Sequence, residues 1–541
     1  MKKHSERPLA LPTLALLLAA CAGPAMQPRP IETPPDIPAP YPPAVAARFP
    51  APPVHYDTPA FAPGRHAYTT DEELASALRA VAAKAGAHAR LLAMGRSEAG
   101  VPIEAVLFAR ADGVRRPRVL LVGQQHGDEP APAEALLVTA RELAGGRLAR
   151  LLEHIDVAVL PRANPDGSQT GSRVGSHGMD VNRDHLLLRT PEAQALARAM
   201  RELSPALVVD AHEYTVVGRY LGKFDAVQRF DLLYQHAMVA NLPPAIGEAS
   251  ERWFRQPLLQ AMAAEQLAVE WYYTTSTVDA DKRISMGGAQ PDTGRNVNGL
   301  KNAVSVLLET RGVGIGRWHL ARRVHTHVVA QRSLLESAAR NAQGLLALQR
   351  DAGAAVASQA CTGDVTLLGA QTATKRELMF LDPQTGADKP IIVDWNSALQ
   401  LRPLRTRARP CGYWLAADAT EAAQRLRALG VHVERFEEEA PLEAERWRET
   451  GRTETARPDV RGTAGDAGAT IVNATVVLDR ERLAAAPGSF YVPLDQPLAN
   501  LAVAALEPDT QNSYFANRLI ERLESGARVA TRPTARRSAV P

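Results

Sequence analysis

The sequence predicts an α/β protein with a largely parallel sheet flanked by helices. Two observations support this fold class. Short apolar runs alternate with helical segments between about residues 66 and 350, and polar side chains directly follow several of these runs. Short, continuous apolar runs are typical of parallel strands that helices cover on both faces. Because functional groups in such sheets gather at the carboxyl ends of the strands, the residues that follow the runs are the candidates for function.

The predicted elements follow one another in a regular order. Apolar positions at helical spacing predict the helices, and the short apolar runs predict the strands. In the first part of the chain these are a helix over 71–85, a hairpin over 90–110, strands over 118–122, 155–160, 206–210 and 304–308, helices over 132–143 and 191–203, and a long helical run over 318–354. A smaller α+β or β-rich unit follows, with strand-like stretches at 365–368, 390–393 and 469–477 and a helix over 418–429.

The N-terminus has the features of a lipoprotein signal peptide. Basic residues precede an apolar stretch over 9–20 that is too short to span a bilayer. The stretch ends in Leu18-Ala-Ala-Cys21, which resembles the bacterial lipobox. The resemblance implies cleavage before Cys21 and attachment of lipid to its thiol. The alternative is an ordinary signal peptide that contains a cysteine.

Composition shifts divide the chain into predicted units. A region dense in proline and alanine predicts a semi-extended tether, and a polar, glycine-rich stretch over 449–468 predicts a mobile loop. The predicted units are a signal peptide over 1–20, the tether over 21–65, the main α/β domain over 66–355, a C-terminal accessory domain over 360–526 and a disordered basic tail over 527–541.

Charge and cysteine content exclude some classes of function. The chain of 541 residues carries 62 basic and 59 acidic residues, a formal net charge of +3, which gives no support for nucleic-acid binding. Export would place the mature chain in an oxidising compartment. A disulfide between Cys361 and Cys411 is therefore predicted, and two buried free thiols are the alternative.

His126 and Glu129 form the first candidate metal site. They lie in Gly123-Gln-Gln-His126-Gly-Asp-Glu129, directly after the predicted strand that ends near residue 122. An imidazole and a carboxylate three residues apart can face one cation, and zinc accepts this mixture of nitrogen and oxygen ligands. A catalytic zinc needs a third protein ligand and an open position for water.

His212 is the candidate third ligand. It follows the apolar run that ends at Asp210, as His126 follows its own run, and parallel neighbouring strands would bring the two imidazoles together. Asp210 or Asp180 could hold an imidazole tautomer. An H-E-x-x-H zinc helix starting at His212 is excluded because position 216 is Val. A histidine that is merely hydrogen-bonded at a strand end is the alternative for His212 alone.

Glu309, two arginines and an asparagine complete the candidate site. Glu309 ends a predicted buried strand, where burial would keep its pKa near working pH and suit it as a general base. A salt bridge with Arg311 is the structural alternative. Arg173 and the Asn182-Arg183 pair supply groups that bind carboxylates, since a guanidinium binds a carboxylate through two hydrogen bonds.

Taken together, these motifs resemble the zinc carboxypeptidases of the M14 (carboxypeptidase A-like) family. The resemblance covers about residues 66–350 and includes the hairpin Gly95-Arg-Ser-Glu-Ala-Gly-Val-Pro-Ile103. The motifs, in chain order, are His126-x-x-Glu129, Asn164-Pro-Asp-Gly167, Arg173, Asn182-Arg183, His212 and Glu309-x-Arg311.

The resemblance implies a zinc-carboxypeptidase-like fold and a role for each residue. One Zn²⁺ would be bound by His126, Glu129 and His212. Glu309 would act as general base and proton shuttle, and Arg173 would stabilise the oxyanion. The remaining implied roles are substrate carboxylate binding by Asn182 and Arg183, and support of a ligand histidine by Asp180.

Some positions depart from the family pattern. Asp128 stands where digestive members carry an arginine, and His-Gly-Asp-Glu is more similar to bacterial cell-wall-peptide hydrolases and amino-acid deacylases. The tyrosine expected four residues before Gly287-Gly288 is replaced by Arg283, so the usual phenol is either missing or supplied by Tyr272 or Tyr273. Arg295 lies in an unusually polar segment and is a candidate additional substrate contact.

These observations lead to a functional hypothesis with two alternatives. The chain is predicted to be a zinc metallocarboxypeptidase that acts on peptides with a free C-terminal carboxylate, with cell-wall peptides as one candidate substrate. It would be lipid-anchored in the bacterial cell envelope, on the periplasmic face of the outer membrane. The alternatives are a zinc deacylase of N-acyl amino acids and a non-catalytic peptide-binding lipoprotein.

Overall fold

The computed structural model describes residues 40–459, 462–463 and 470–540. Cys21 and the predicted signal peptide lie outside these residues. In chain order the strands are β1 Ala89–Arg96, β2 Pro102–Phe108, β3 Arg118–Gly123, β4 Asp156–Leu160, β5 Leu207–Thr215, β6 Val227–Gln228, β7 Leu232–His236, β8 Val269–Trp271, β9 Tyr273–Thr275, β10 Ile284–Met286, β11 Val304–Val313, β12 Asp364–Leu381, β13 Asp388–Ala408, β14 Gly412–Leu415, β15 Glu434–Phe436, β16 Ala440–Ala456, β17 Pro458–Asp459, β18 Gly462–Thr463, β19 Thr470–Ala485, β20 Phe490–Pro493, β21 Gly526–Val529 and β22 Arg537–Ala539.

The helices alternate with the strands in the first two thirds of the chain. They are α1 Pro43–Ala46, α2 Asp71–Ala85, α3 Ala131–Leu143, α4 Pro165–Thr170, α5 Pro191–Leu203, α6 Arg219–Phe224, α7 Pro244–Ala249, α8 Gln256–Ala264, α9 Gly294–Leu300, α10 Leu320–Arg340, α11 Ala342–Ser358, α12 Thr420–Ala428 and α13 Ala499–Leu506. Within the part of the chain that the structure describes, none of the helices is both long and apolar enough to cross a bilayer.

A mixed sheet of eight strands forms the centre of the protein. Its order is β1-β2-β4-β3-β5-β11-β7-β8, and the four middle strands, β4, β3, β5 and β11, are parallel to one another. The outer strands β1, β2 and β7 pair antiparallel with their inner neighbours. The predicted α/β class with a mostly parallel sheet is confirmed.

Helices cover both faces of this sheet. On one face Leu121 and Val209 join a buried cluster with residues of α3 and α10. On the other face Leu120 and Val208 pack against residues of α5. Alternate residues of one strand point to opposite faces, so a strand that is covered on both sides must be apolar throughout. Each fully buried leucine or valine contributes about 1.5–3 kcal/mol relative to exposure.

Strand register places the predicted functional residues at one edge of the sheet. Glu309 of β11 lies opposite His212 of β5 in the parallel ladder. On the other side of β5, Val122 of β3 lies opposite Asp210. The chain leaves β3 at Gly123 and reaches His126 three residues later. The carboxyl ends of β3, β5 and β11 therefore meet in one place.

The predicted boundary between residues 355 and 360 does not separate two independent sheets. The long hairpin of β12 and β13 forms a second sheet with β6, β9 and β10 of the preceding region. Trp395 of β13 lies opposite Ile284 of β10, and both side chains are buried. The correction follows from edge pairing, because the short strand β10 pairs with β9 on one side and takes β13 as its partner on the other.

The predicted disordered tail over 527–541 is wrong for its described residues. β21 pairs with β14 and β16 inside a seven-stranded third sheet, and β22 pairs with β15. Ala527 and Val529 are buried, and the buried guanidinium of Arg528 forms an ion pair with Glu507 at 3.0 Å. Charge pairing inside the sheet allows a basic segment to be ordered.

The predicted tether over 21–65 is wrong for its described part, which begins at residue 40. Tyr41, Val45 and Phe49 are buried in the main core. The guanidinium carbon of Arg311 lies 3.4 Å from the centre of the Phe49 ring. Aromatic side chains between the prolines therefore attach this segment to the domain.

Arg311 donates hydrogen bonds to backbone oxygens, and no ion pair joins it to Glu309 among the described residues.

A long hairpin of β16 and β19 projects from the third sheet. Together with the described residues between its strands we call it the arm. Part of the predicted mobile loop over 449–468 is therefore regular strand, since β16 extends to Ala456 and pairs with β19 from Thr470 onward. The remainder of that stretch lies largely outside the described residues. The arm brings residues 457–459 to the carboxyl edge of the central sheet.

Candidate metal centre and active site

Two histidines and a glutamate converge at the carboxyl edge of the central sheet. Nδ1 of His126 lies 2.7 Å from Oε1 of Glu129, and Nδ1 of His212 lies 2.8 Å from Oε2 of the same carboxylate. The two Nδ1 atoms are 3.0 Å apart. All three side chains are buried. Three groups whose lone pairs point at one place repel each other unless a cation or a proton lies between them. Such a convergence of lone pairs is the arrangement that a metal site requires.

Each imidazole of this cluster has a carboxylate at its other nitrogen. Nε2 of His126 lies 3.1 Å from Asp180, and Nε2 of His212 lies 2.8 Å from Asp210. A carboxylate at Nε2 keeps the proton there and leaves the Nδ1 lone pair for a metal. The sequence left open which aspartate would serve. The structure uses one for each histidine.

A hydrogen-bonded chain of His185, Gln125 and Asp210 supports His212 from behind, and the sequence did not predict this chain. Nε2 of His185 lies 2.7 Å from Oε1 of Gln125, and Nε2 of Gln125 donates to Asp210 at 2.7 Å. Burial lowers the pKa of His185 to about 4, so this imidazole is neutral near pH 7. The position of Gln125 directly before His126 was the sequence feature that could have indicated its role beside the metal site.

The turn that carries His126 requires a glycine. A Cβ atom built on Gly127 would lie 1.8 Å from the carbonyl carbon of Gly167, so the two backbones approach closely at this point. Asn164 holds the approach, since its Nδ2 donates to the Gln125 carbonyl at 3.1 Å and its Oδ1 accepts from the Gly167 amide at 2.8 Å. The Asn-Pro-Asp-Gly motif thus fixes the ligand loop.

Glu309 is almost fully buried beside this cluster. It is 7% exposed. Burial, and then the nearby charge of Glu129, raise the pKa of its carboxyl to about 8. A carboxylate in this environment can accept and return a proton near neutral pH. A cation bound between His126, Glu129 and His212 would offset the repulsion from Glu129.

Arg173 faces the same cluster from the loop after α4. Its Nη1 lies 3.4 Å from Oε1 of Glu129, and its Nη2 lies 3.0 Å from Asp180. Its side chain is 29% exposed. One side of the guanidinium is therefore held by Asp180, while the other can reach a substrate oxygen.

Asn182 contacts the proposed ligand His212, whereas the side chain of Arg183 forms an ion pair with a residue of the arm. Nδ2 of Asn182 lies 3.2 Å from Nε2 of His212, and its Oδ1 accepts from the Gly294 amide. Nε of Arg183 donates to the arm residue Asp459 at 2.8 Å. The predicted carboxylate-binding arginine thus already holds a carboxylate. No local sequence signal predicted this contact, because Asp459 belongs to the distant arm.

Arg283, Tyr272 and Tyr273, the three residues that could replace the family's active-site tyrosine, lie in different environments. Arg283 is at the surface in an ion pair with Asp281, and Tyr273 is buried in an aromatic group with Tyr220 and Trp395. Tyr272 is half-buried beside the site, since a Cβ built on Gly287 would lie 2.9 Å from its ring. Of the two tyrosines, Tyr272 is therefore the one that lies against Gly287, next to Arg295.

Two further positions have perturbed environments. Burial and the neighbouring Glu129 raise the pKa of Asp128 to about 6. Arg295 is 3% exposed, and burial lowers its pKa to about 10.

The predicted pair Cys361 and Cys411 is joined by a disulfide, far from the metal ligands in sequence.

Residues 74–314 match the family model described as Zinc carboxypeptidase, Peptidase_M14. These residues form a domain of this family. The predicted resemblance to the M14 zinc carboxypeptidases is thereby confirmed, and the protein is a peptidase hydrolase of the carboxypeptidase type. The matched range contains every candidate site residue from His126 to Glu309.

Similar proteins carry carboxypeptidase names. Carboxypeptidase 2 of Trichophyton rubrum is 29% identical over 411 residues, which are 74% of this chain and 73% of the relative. Carboxypeptidase D of Homo sapiens is 33% identical over 208 residues, which are 28% of this chain and 15% of that protein. A metallo-carboxypeptidase structure from Burkholderia cenocepacia aligns with a TM-score of 0.39 and 19% identity, over 49% of this chain and 68% of that one.

The donor set of this M14 domain fits the zinc that its family uses. His126, Glu129 and His212 offer two nitrogens and a carboxylate, and their ligand atoms lie within 4.8 Å of one another. Three protein ligands with one position left open are typical of catalytic rather than structural zinc sites. The surrounding Asp180 and Asp210 supply the outer support that such sites have.

Proposed function

We propose that this protein is a zinc-dependent carboxypeptidase in which Glu309 is the general base and the substrate's C-terminal carboxylate binds at Arg183. One observation carries the proposal: the paired Nδ1 atoms of His126 and His212 converge on Glu129, and the register of β5 and β11 places Glu309 beside them. Zinc bound there would act as a Lewis acid and would make a water molecule more acidic.

The chain's own residues perform the remaining steps. Glu309 accepts a proton from the attacking water and returns it to the leaving amine. Arg173 donates hydrogen bonds to the developing oxyanion from its exposed side. Asn182 and Arg183 orient the terminal carboxylate, and Asp459 must leave Arg183 or share it when substrate binds. Asp180 and Asp210 hold the ligand histidines in the required tautomer.

The experiment that tests this function uses N-acylated dipeptides and N-acyl amino acids with the purified full chain. We expect release of the C-terminal residue of the dipeptides, loss of activity with a chelator, and recovery when zinc is restored. Hydrolysis of the N-acyl amino acids alone would instead favour the deacylase. Unchanged activity in the metal-free protein would contradict the proposal.

Cell-wall peptides are the proposed substrate class, and lipid attachment at Cys21 is the proposed route to the envelope. Support comes from the His-Gly-Asp-Glu motif at residues 126–129 and from the lipobox-like Leu18-Ala-Ala-Cys21. Incubation with muropeptides, followed by mass spectrometry, tests the substrate. Fractionation of cells that express the wild-type chain or Cys21→Ser tests the anchor, and equal amounts of both in the membrane fraction would contradict it.

A further inference from the structure

Arg295 is a buried cation without a carboxylate partner. It lies on α9, and among the described residues it forms no ion pair. Its Nη2 donates to the Gly288 carbonyl at 2.9 Å, and its Nε lies 3.4 Å from Oδ1 of Asn296. Its Nη1 makes no hydrogen bond to a described residue, yet it is not sealed from solvent. A guanidinium has five N–H donors, so most of its capacity is unused.

Most other buried arginines among the described residues are paired with a carboxylate, whereas Arg409 has the amide oxygen of Asn500 as its partner. Arg323 forms two hydrogen bonds to Glu213, at 2.7 and 2.8 Å, and Arg528 pairs with Glu507. Arg311 lacks a carboxylate, but the ring of Phe49 covers its guanidinium. Burying a charge without a partner is costly, and such groups are almost always paired or bound to a ligand. Arg295 is thus a buried cation with one side open for an anion.

The surroundings of Arg295 connect it to the active site. Gly287 lies against it, since a Cβ built there would be 3.0 Å from Nη1. Oε1 of Gln235 accepts from the Gly287 amide at 2.9 Å. Gln235 lies opposite Leu307, which precedes Glu309 by two residues on β11 and shares its face of the sheet.

The first residue of α9 is also tied to the proposed carboxylate site. The Gly294 amide donates to Oδ1 of Asn182 at 2.8 Å. Arg183 is near enough to Arg295 to lower its pKa by repulsion. The guanidinium groups of Arg183 and Arg295 therefore lie within electrostatic reach of each other. A ligand with two carboxylates matches this pair, whereas a ligand whose single carboxylate occupies Arg183 leaves Arg295 uncompensated.

We propose that Arg295 binds the side-chain carboxylate of the substrate's C-terminal residue, which makes the enzyme selective for peptides that end in an acidic residue. The α-carboxylate occupies Arg183, and the side chain extends past Gly287 to Nη1 of Arg295. This inference rests on the proposed carboxypeptidase function. Arg295 determines specificity and takes no part in the chemical step.

The test compares N-acylated dipeptides that differ only in the last residue, which is Glu, Gln, Leu or Lys. With zinc-loaded protein we expect kcat/KM for Glu to exceed that for Gln by roughly 10- to 100-fold, because a site built for a charged hydrogen bond discriminates strongly against a neutral analogue. The Glu/Gln ratio should fall toward one in Arg295→Gln and recover partly in Arg295→Lys. Arg283→Gln, which removes an exposed arginine, should keep the wild-type ratio.

Two outcomes would overturn the inference: equal cleavage of the Glu and Gln dipeptides by the wild-type enzyme, or an equal loss for all four dipeptides in Arg295→Gln. The second outcome would assign Arg295 to the α-carboxylate. Calorimetric binding of the same dipeptides to zinc-loaded Glu309→Gln gives a second readout, and equal affinities for Glu and Gln would again contradict the proposal. If no dipeptide is hydrolysed, the proposed carboxypeptidase function is overturned but the inference on Arg295 is not. The calorimetric comparison of the Glu and Gln dipeptides then still tests whether Arg295 binds the side-chain carboxylate.

Discussion

Asp459 of the arm lies 2.8 Å from the guanidinium of Arg183, although 276 residues separate them in sequence. The ion pair is buried, since the two side chains are only 7% and 10% exposed. Arg457 adds a second link, because its Nη2 donates to the Arg183 carbonyl at 2.8 Å and lies 3.2 Å from Asp292. A substrate carboxylate must therefore compete with the arm for Arg183.

Replacing Asp459 by Asn should lower KM for dipeptide substrates by roughly 3- to 10-fold, with a smaller change in kcat, because the substrate no longer displaces a charged competitor. Steady-state kinetics would measure both constants. Asp479→Asn is the matched control, since Asp479 lies on the same arm in an exposed ion pair with Arg448. A higher KM in Asp459→Asn would show that Asp459 instead orients Arg183 for the substrate.

Replacing Glu309 by Gln should reduce kcat by about 10²–10⁴-fold or more, because the amide cannot accept a proton from water. Zinc content, measured by atomic absorption, should stay at the wild-type level, since Glu309 is not a ligand. Glu129→Gln is the contrasting variant and should lose zinc. An active Glu309→Gln protein would exclude Glu309 as the base.

Replacing Asp210 by Asn should weaken zinc binding by roughly 10- to 100-fold, because Asp210 holds the tautomer of His212. Competition with a chromogenic chelator measures the affinity directly, without relying on turnover. Gln125→Ala should act in the same direction but less strongly, since Gln125 supports Asp210 and does not contact the imidazole. Identical zinc affinities in both variants and the wild type would show that the chain of hydrogen bonds is not needed.

Asp184 should make the protein less stable as the pH rises. Burial raises the pKa of its carboxyl to about 6, and its Oδ1 has no hydrogen-bond partner among the described residues. The folded pKa is above the unfolded value of about 3.9, so this group stabilises most at low pH and loses that contribution as the pH rises through 6. The loss amounts to about 3 kcal/mol for a shift of about two units.

The Asp184→Asn variant tests this pH dependence. Asn resembles the protonated acid, so its free energy of unfolding should equal that of the wild type near pH 4 and exceed it at pH 8. Urea denaturation at both pH values, in chelator-treated protein, measures the difference. A difference that stays the same at the two pH values would exclude Asp184 as the responsible group.

The disulfide between Cys361 and Cys411 closes a loop with a sequence separation of 50. The entropy model of cross-linking gives about 4 kcal/mol for a loop of this length. The double variant Cys361→Ser, Cys411→Ser should therefore lower the free energy of unfolding by about 2–4 kcal/mol. Reduction of the wild type should have the same effect, and it should have none on the double variant.

Local pattern was enough to predict the residues that follow the central strands. His126, His212 and Glu309 each end a short apolar run, and parallel strands bring such ends together whatever the connections between them are. The fold class was predictable for the same reason. The contact of Asp459 with Arg183 was not, because it depends on how the long arm is directed, which no short window of sequence encodes.

The same limit applies to the ends of the chain. Proline-rich and basic composition predicted a tether and a disordered tail, but Phe49 and Arg528 are both buried. Each is held by a distant partner, Arg311 for Phe49 and Glu507 for Arg528. Composition describes how a segment behaves alone and cannot include the stabilisation from such pairs.

The second sheet contains strands from both the peptidase domain and the C-terminal region, which limits where the chain can be truncated. A chain cut after Ser358 would keep every proposed zinc ligand and Glu309, yet it would lose β12 and β13 and leave β6 and β10 as open edges. Unpaired edges of this kind promote aggregation. Tyr272 directly precedes β9 and Gly287 directly follows β10, so the loss of β13, the partner of β10, would also loosen this side of the proposed active site. The peptidase domain and its C-terminal extension therefore share one sheet, and exchanging the extension between related enzymes would replace strands that border the proposed active site.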